Sequence, residues 1–411
     1  MASLLVRCLL ALVCGFAALS SSVAAALGLE EERILAFTGL VSVLLLLPFL
    51  VRPRLVRPSG PLLLLALLAA GMLLADLAGR FDPVDAKIVL PVLVLVAAPN
   101  LARFLTAAEF VRFVWRLLSF YVAATFLYQT VAEPAVVARG YEGIVRYDPT
   151  GSVVMHSSLS LIHLILAVTR LGQAQSTGTR LATLGLGSMS LAMVFLTATR
   201  TAFLTLAIFA LLELATAAWP MAAGRRLAAG LLGFAAAFAG WTLLVDDSFW
   251  RRLQGGQGDF SSGRWASIGH WLELAGDHPF GLGLGAVRDL LADGRPALDG
   301  TSLLEWPHNE LVRMYVEAGP PGLLFVVLLL AVLLQRAIRA AREPIDPVLR
   351  ALILVIAADL VAEACLQNLL NAVYHATVLV LILCLAVAAA RQRPAETPDP
   401  ANPLAHPATN L

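Results

Sequence analysis

Apolar runs of bilayer-spanning length recur from one end of this chain to the other. A helix needs roughly 20 apolar residues to cross hydrocarbon. Only helices and closed barrels satisfy their own backbone polar groups there. The runs fall at residues 4–26, 34–51, 61–78, 86–102, 111–132, 151–169, 182–198, 201–219, 227–245, 311–335, 349–366 and 373–390. They predict an all-α polytopic bundle of about twelve transmembrane helices. Prolines punctuate many of the ends, at Pro53, Pro58, Pro220, Pro344 and Pro347. The first run also reads as a secretory signal, because a Ser-Ser-Ser-Val-Ala-Ala-Ala stretch follows its core. Cleavage there would leave eleven spans and the same topology for the rest.

Charge is scarce, at 14% of 411 residues, against about a quarter in a soluble domain. The net charge of +1 gives no reason to expect nucleic acid as a partner. Lys87 is the one lysine; arginine carries the remaining positive charge. That bias favours anionic ligands mildly, through the planar guanidinium fork, or reflects a GC-rich genome. Cys8, Cys14, Cys365 and Cys384 lie in apolar runs, without the clustered spacing of a zinc site or disulfide framework.

Arginine placement sets the orientation. With the N-terminus inside, the inner connections hold Arg52, Arg54 and Arg57, then Arg103, Arg112 and Arg116, then Arg170 and Arg180. Arg336, Arg339, Arg342 and Arg350 follow, and acidic residues such as Glu30, Asp76, Asp82 and Asp85 fall outside. Both termini are therefore expected in the cytoplasm. Residues 1–393 read as one membrane domain, and 394–411, rich in Pro and Ala, as a disordered tail.

The connection from about 246 to 307 is the long exception, and it is expected outside. Its middle predicts an amphipathic helix, with Trp265, Ile268, Leu272 and Ala275 on one face. That face is expected against the membrane surface or the bundle. Its arginines include Arg251, Arg252, Arg264 and Arg288, and the helix would orient Arg264. The run His278-Pro-Phe-Gly-Leu-Gly-Leu-Gly285 reads as a tight turn with close backbone approach, since no strand precedes it to make a nucleotide loop.

Three further features carry possible chemistry. Arg200 sits in a minimal turn between two spans, as an interfacial anchor or an anion-binding group. His308 stands where the long loop re-enters the membrane, with Asn309 and Glu310 beside it. A neutral imidazole there can take a proton from a hydroxyl. Asp359, Glu363, Gln367 and Asn371 recur every four residues along the eleventh span, which makes one polar face running toward Arg200 and His308. His156 and His163 share a face of the sixth span, lining that cavity or packing on polar partners.

Residues 185 to 335 resemble the O-antigen ligase and polymerase-like superfamily of bacterial polysaccharide membrane proteins. The resemblance rests on Thr-Arg-Thr-Ala around Arg200, on Gly263-Arg-Trp with Trp271 and the glycine run to Gly285, and on His308-Asn-Glu-Leu with Glu317-Ala-Gly319. It implies a GT-C-like fold with a large periplasmic loop between helices 9 and 10. It also implies a metal-independent, cofactor-free, inverting glycosyltransferase of the inner membrane. Its donor would be an undecaprenyl-pyrophosphate-linked glycan, and its acceptor the lipid A–core or another glycan. By the same resemblance, Arg200 and Arg264 hold the pyrophosphate and His308 activates the acceptor hydroxyl. The chain departs from the pattern at Gly319-Pro-Pro-Gly322, which is expected to tilt or break the tenth span and shift His308. Two other readings remain: a polymerase of O-antigen or exopolysaccharide, and a transporter using the polar stripe.

Overall fold

The computed structural model describes residues 2–27, 32–51, 59–79, 82–131, 138–141, 144–147, 152–173, 176–197, 199–217, 264–293, 306–370 and 373–392. The expected ninth span at 227–245, Arg251 and Arg252, and the tail lie outside these residues. Every other expected span coincides with a helix. These are α1 (Ala2–Leu27), α2 (Glu32–Val51), α3 (Gly60–Gly79), α4 (Leu90–Leu101, entered through a 3-10 turn at Pro83–Val89) and α5 (Ala107–Val131). Next come α6 (Val153–Leu171), α7 (Thr177–Thr197) and α8 (Arg200–Thr216). Two short helices follow in the long connection, α9 (Arg264–Gly276) and α10 (Ala286–Ala292). The last three are α11 (Glu310–Ala341), α12 (Pro347–Leu366) and α13 (Val373–Ala390). Among the described residues the fold is helical apart from one antiparallel hairpin, β1 (Ala138–Tyr141) with β2 (Ile144–Tyr147), in the connection between α5 and α6. Val, Ile and Tyr in that stretch favour extended backbone.

Seven of the described helices are long and apolar enough to cross a bilayer. The architecture explains their uneven burial. α12 and α13 are buried almost throughout, which marks them as the centre of the bundle; α13 is apolar along most of its length. α12 packs on α6, α8, α11 and α13, and α13 packs on α1 and α4. The outer helices bury one stripe and expose the rest. α3 turns Leu63, Leu67, Leu74 and Leu77 outward, and α5 turns out Phe120, Leu127 and Val131. Such surfaces are aggregation-prone in water and suited to lipid.

Caps fix where the central helices begin. Asp346 takes the amides of Val348 (2.8 Å) and Leu349 (3.1 Å) at the start of α12, with Pro347 in the first turn. Asn309 takes the Val312 amide (3.1 Å) at the start of α11.

α11 breaks at Gly319-Pro-Pro-Gly322, as the sequence suggests, and the break is held by hydrogen bonds from another segment. Pro320 and Pro321 lack the amides that would bond the carbonyls of Val316 and Glu317. The loop before α10 supplies both replacements: Leu282 donates to Val316 O and Gly283 to Glu317 O, each at 2.9 Å. Gly319 makes the kink with φ +62°. The glycine run is thus the backbone partner of the kink, and the Pro-Pro step is locked rather than slack. Gly281 has φ +83°, and a Cβ there would lie 2.4 Å from Glu317 O. Gly283 has φ +103° with open space around it. Gly281→Ala is therefore expected to destabilise by about 2 kcal/mol or more, and Gly283→Ala by about 1 kcal/mol. Thermal unfolding of the purified proteins checks the order; equal losses would remove the contact from the argument.

Candidate functional site

The sequence-predicted groups meet at the C-terminal end of α12. The last turn of a helix leaves carbonyls without amide partners and carries negative partial charge. Cations and amide donors therefore collect there. Arg264, the first residue of α9, donates from Nη1 to Leu366 O at 3.2 Å. Asn309 donates from Nδ2 to Cys365 O at 3.1 Å. Gln367, the α12 C-cap, donates from Nε2 to the hydroxyl of Thr201, the residue after Arg200, at 3.3 Å. Gln367 also acts on His308, favouring its protonated form. Three consecutive residues, Cys365 to Gln367, thus tie the Arg200 turn, the start of α9 and the approach to α11 to one point. The Arg200 turn is held from its other side as well: Thr199 donates to the Ser157 hydroxyl at 2.5 Å.

His308 has φ +44°, the one non-glycine residue with positive φ among the described residues. A strained backbone at a polar site is a mark of functional constraint. Burial pushes its imidazole down to about 4, and the Arg264 guanidinium pushes the same way against Gln367. The ring is accordingly neutral at physiological pH and can accept a proton.

α9 is a helix, as its spacing predicts, and of the two expected places its apolar face takes mostly the outward one. Ser267, Trp271 and Ala275 point inward; Trp265 is 74% exposed and Leu272 is 43% exposed. Trp271 packs with Val287 and Val316, so the helix rests on the patched kink of α11. Packing against that neighbour, rather than the helix's own apolar balance, selects the face. Ser267 Oγ donates to Trp306 O (3.3 Å), which joins α9 to the segment carrying His308. Arg288, one turn into α10, reaches Asp82 (2.7 Å), Asp85 (3.7 Å) and Asp289 (3.0 Å) and anchors the loop to the approach to α4. Burial holds the Asp85 carboxyl up near 6 against the pull of Arg288.

Glu310 is a supporting residue of a different kind from the one its position suggests. It is fully buried, with Arg313 Nη2 on its Oε1 at 2.5 Å and the Leu370 amide on its Oε2 at 3.1 Å. Arg313 Nη1 also meets Glu317 Oε2 at 2.6 Å. Sequence reasoning missed Arg313. The signal was available: acid, base and acid at spacings of three and four lie on one helical face within a span.

The polar stripe of α12 divides in two. Gln367 belongs to the site. Asp359 accepts from Ser158 and from Thr205 (2.9 Å), and Glu363 accepts from His375 (2.7 Å). Donor atoms of Asp359, Glu363 and His375 lie within 4.8 Å of one another. The carboxylates are already taken by hydroxyl and imidazole donors, so the group reads as a bonded network inside the bundle. His156 meets the Tyr121 hydroxyl at 2.9 Å, and His163 meets Ser190 (2.7 Å) and Ser119 (3.1 Å). Both pack on polar partners.

The class defined by this bundle is a polytopic helical membrane protein with a cationic, histidine-bearing site at one end. Residues 182–327 match the family model described as O-antigen ligase, which supports a likeness to the O-antigen ligase-like superfamily. The segment covers about a third of the chain and includes Arg200, Arg264 and His308. It implies glycosyltransferase-like activity in general and, with the apolar helices, a multi-pass bacterial membrane protein. No curated protein matches the chain.

Proposed function

We propose that this protein transfers a glycan from undecaprenyl pyrophosphate to an acceptor hydroxyl, with the lipid A–core as acceptor. The reaction takes place on the periplasmic face of the inner membrane, and both termini are cytoplasmic. The observation that carries this reading is the convergence of the Arg200 turn, Arg264 and His308 on the last turn of α12.

The roles follow from charge. Pyrophosphate is a poor leaving group unless its developing charge is met by fixed cations. Arg200 and Arg264 supply two bidentate donors for it. The acceptor oxygen attacks the anomeric carbon from the side opposite the carrier. His308 takes the hydroxyl proton, the carbon–oxygen bond to the pyrophosphate breaks, and the carrier leaves with the bonding pair. One displacement gives inversion. Bound pyrophosphate would offset the Arg264 charge and raise the basicity of His308 as the donor arrives. Asn309 and Gln367 hold His308 and the arginine-bearing elements in place.

Purified protein in proteoliposomes, given labelled carrier-linked glycan and the lipid A–core, tests the reading directly. Label moving to the core supports it; no transfer to any hydroxyl acceptor overturns it. The pH dependence has a stated sign. Transfer needs neutral His308, so kcat/KM is expected to stay flat through neutral pH and to fall as pH drops through about 4. An acidic limb near the unperturbed histidine value of 6.5 would contradict the buried, Arg264-facing ring.

A further inference from the structure

At the end of the bundle opposite the candidate site, a cavity of about 470 Å³ opens between α1 and α5. The two ends are separated by the length of α12. Its C-terminus holds the candidate site, whereas Val348 and Leu349 at its N-terminus line a neighbouring cavity with Arg112 and Arg170. Arg7, Arg112 and Arg116 form the rim of the first cavity, and Phe113, Leu117 and Phe120 form its wall. Glu109 is the carboxylate among its lining residues; its Oε2 accepts from the Thr106 amide and hydroxyl at 3.1 Å each, and it feels the Arg7 and Arg112 charges beyond ion-pair distance. Among the described residues, no carboxylate lies within ion-pair distance of the three arginines.

The order of residues along α5 identifies the ligand. Arg112, Arg116 and Phe120 are four apart, so they form one stripe that passes from charge to bare aromatic surface. Phe120 is 73% exposed. A cationic rim continuous with an apolar wall on a membrane-spanning helix fits a molecule with an anionic head and an acyl tail. A free anion has no use for the wall. Basic pockets between transmembrane helices on the positive side of a membrane are suited to anionic lipid head groups.

We propose that this cavity is a binding site for the phosphate head group of an anionic phospholipid in the leaflet opposite the candidate site. The guanidiniums hold the phosphate oxygens, and the first part of the acyl chain lies along Phe113, Leu117 and Phe120. The site is independent of the transfer reading.

The test uses the full-length protein carried from nanodiscs into native mass spectrometry. The discs contain equal phosphatidylglycerol and phosphatidylcholine. The wild type is expected to retain phosphatidylglycerol in preference, and Arg112→Gln/Arg116→Gln to lose about fivefold of that preference per arginine. The paired lysine variant keeps most of it, and Arg339→Gln, an exposed arginine away from the cavity, leaves it unchanged. Equal retention of the two lipids by the wild type, or the same loss in Arg339→Gln, overturns the proposal. Inorganic phosphate displacing phosphatidylglycerol at millimolar concentration would also overturn it and mark a free-anion site.

Discussion

Arg200→Ala and His308→Ala are each expected to reduce glycan transfer by about 10²–10³-fold at unchanged protein abundance. The loss is expected to fall on the transition state, because other groups fix the backbone around each residue. Arg200 lies in a turn already fixed by Thr199 on Ser157 and Thr201 on Gln367. His308 precedes a helix capped by Asn309. Arg264→Ala is expected to behave alike, with added mobility of α9 from the lost bond to Leu366 O. Transfer assays in cells with immunodetection of each variant check this. Full transfer by Arg200→Ala and His308→Ala at normal abundance would remove both from the site.

Arg313→Met is expected to destabilise the protein by about 3–5 kcal/mol, because it leaves two buried carboxylates without their cation. Glu310 and Glu317 are 0% and 2% exposed. Neither can turn to water, and the hydrophobic replacement does nothing for their charge. The effect reaches the site through Glu310, which holds the Leu370 amide just beyond Gln367. Replacing all three together, as Glu310→Gln, Arg313→Met and Glu317→Gln, is expected to recover a large part of the loss. Thermal unfolding of the purified variants measures both; a single Arg313→Met protein as stable as wild type would show that the triad contributes nothing.

Much of the bundle is legible in the sequence because lipid imposes one rule on every span. Runs such as 311–335 and 373–390 can only be helices of that length, and α11 and α13 follow them closely. The candidate site residues are picked out by sequence for a related reason: Arg200 and His308 are polar groups at the ends of apolar spans, and Arg264 opens a helix in the long connection. What remains hidden depends on contacts between distant segments. The break at Pro320-Pro321 is legible, but not that Leu282 and Gly283 supply the two missing donors. The face of α9 is chosen by Trp271 packing near Val316, so Trp265 and Leu272 turn outward although the helical pattern puts them with Ile268. The paired role of Gln367 needs Thr201 and His308 brought to it from elsewhere in the chain.

The reaction assigned to this protein is tested most directly by deleting its gene and analysing lipopolysaccharide and carrier-linked glycan side by side. A lipid A–core stripped of long chains, with polymer accumulating on the carrier, is the expected result. A single repeat unit still reaching the core, with long chains absent, would make the protein a polymerase and contradict the ligase assignment. Unchanged lipopolysaccharide would contradict the O-antigen reading altogether.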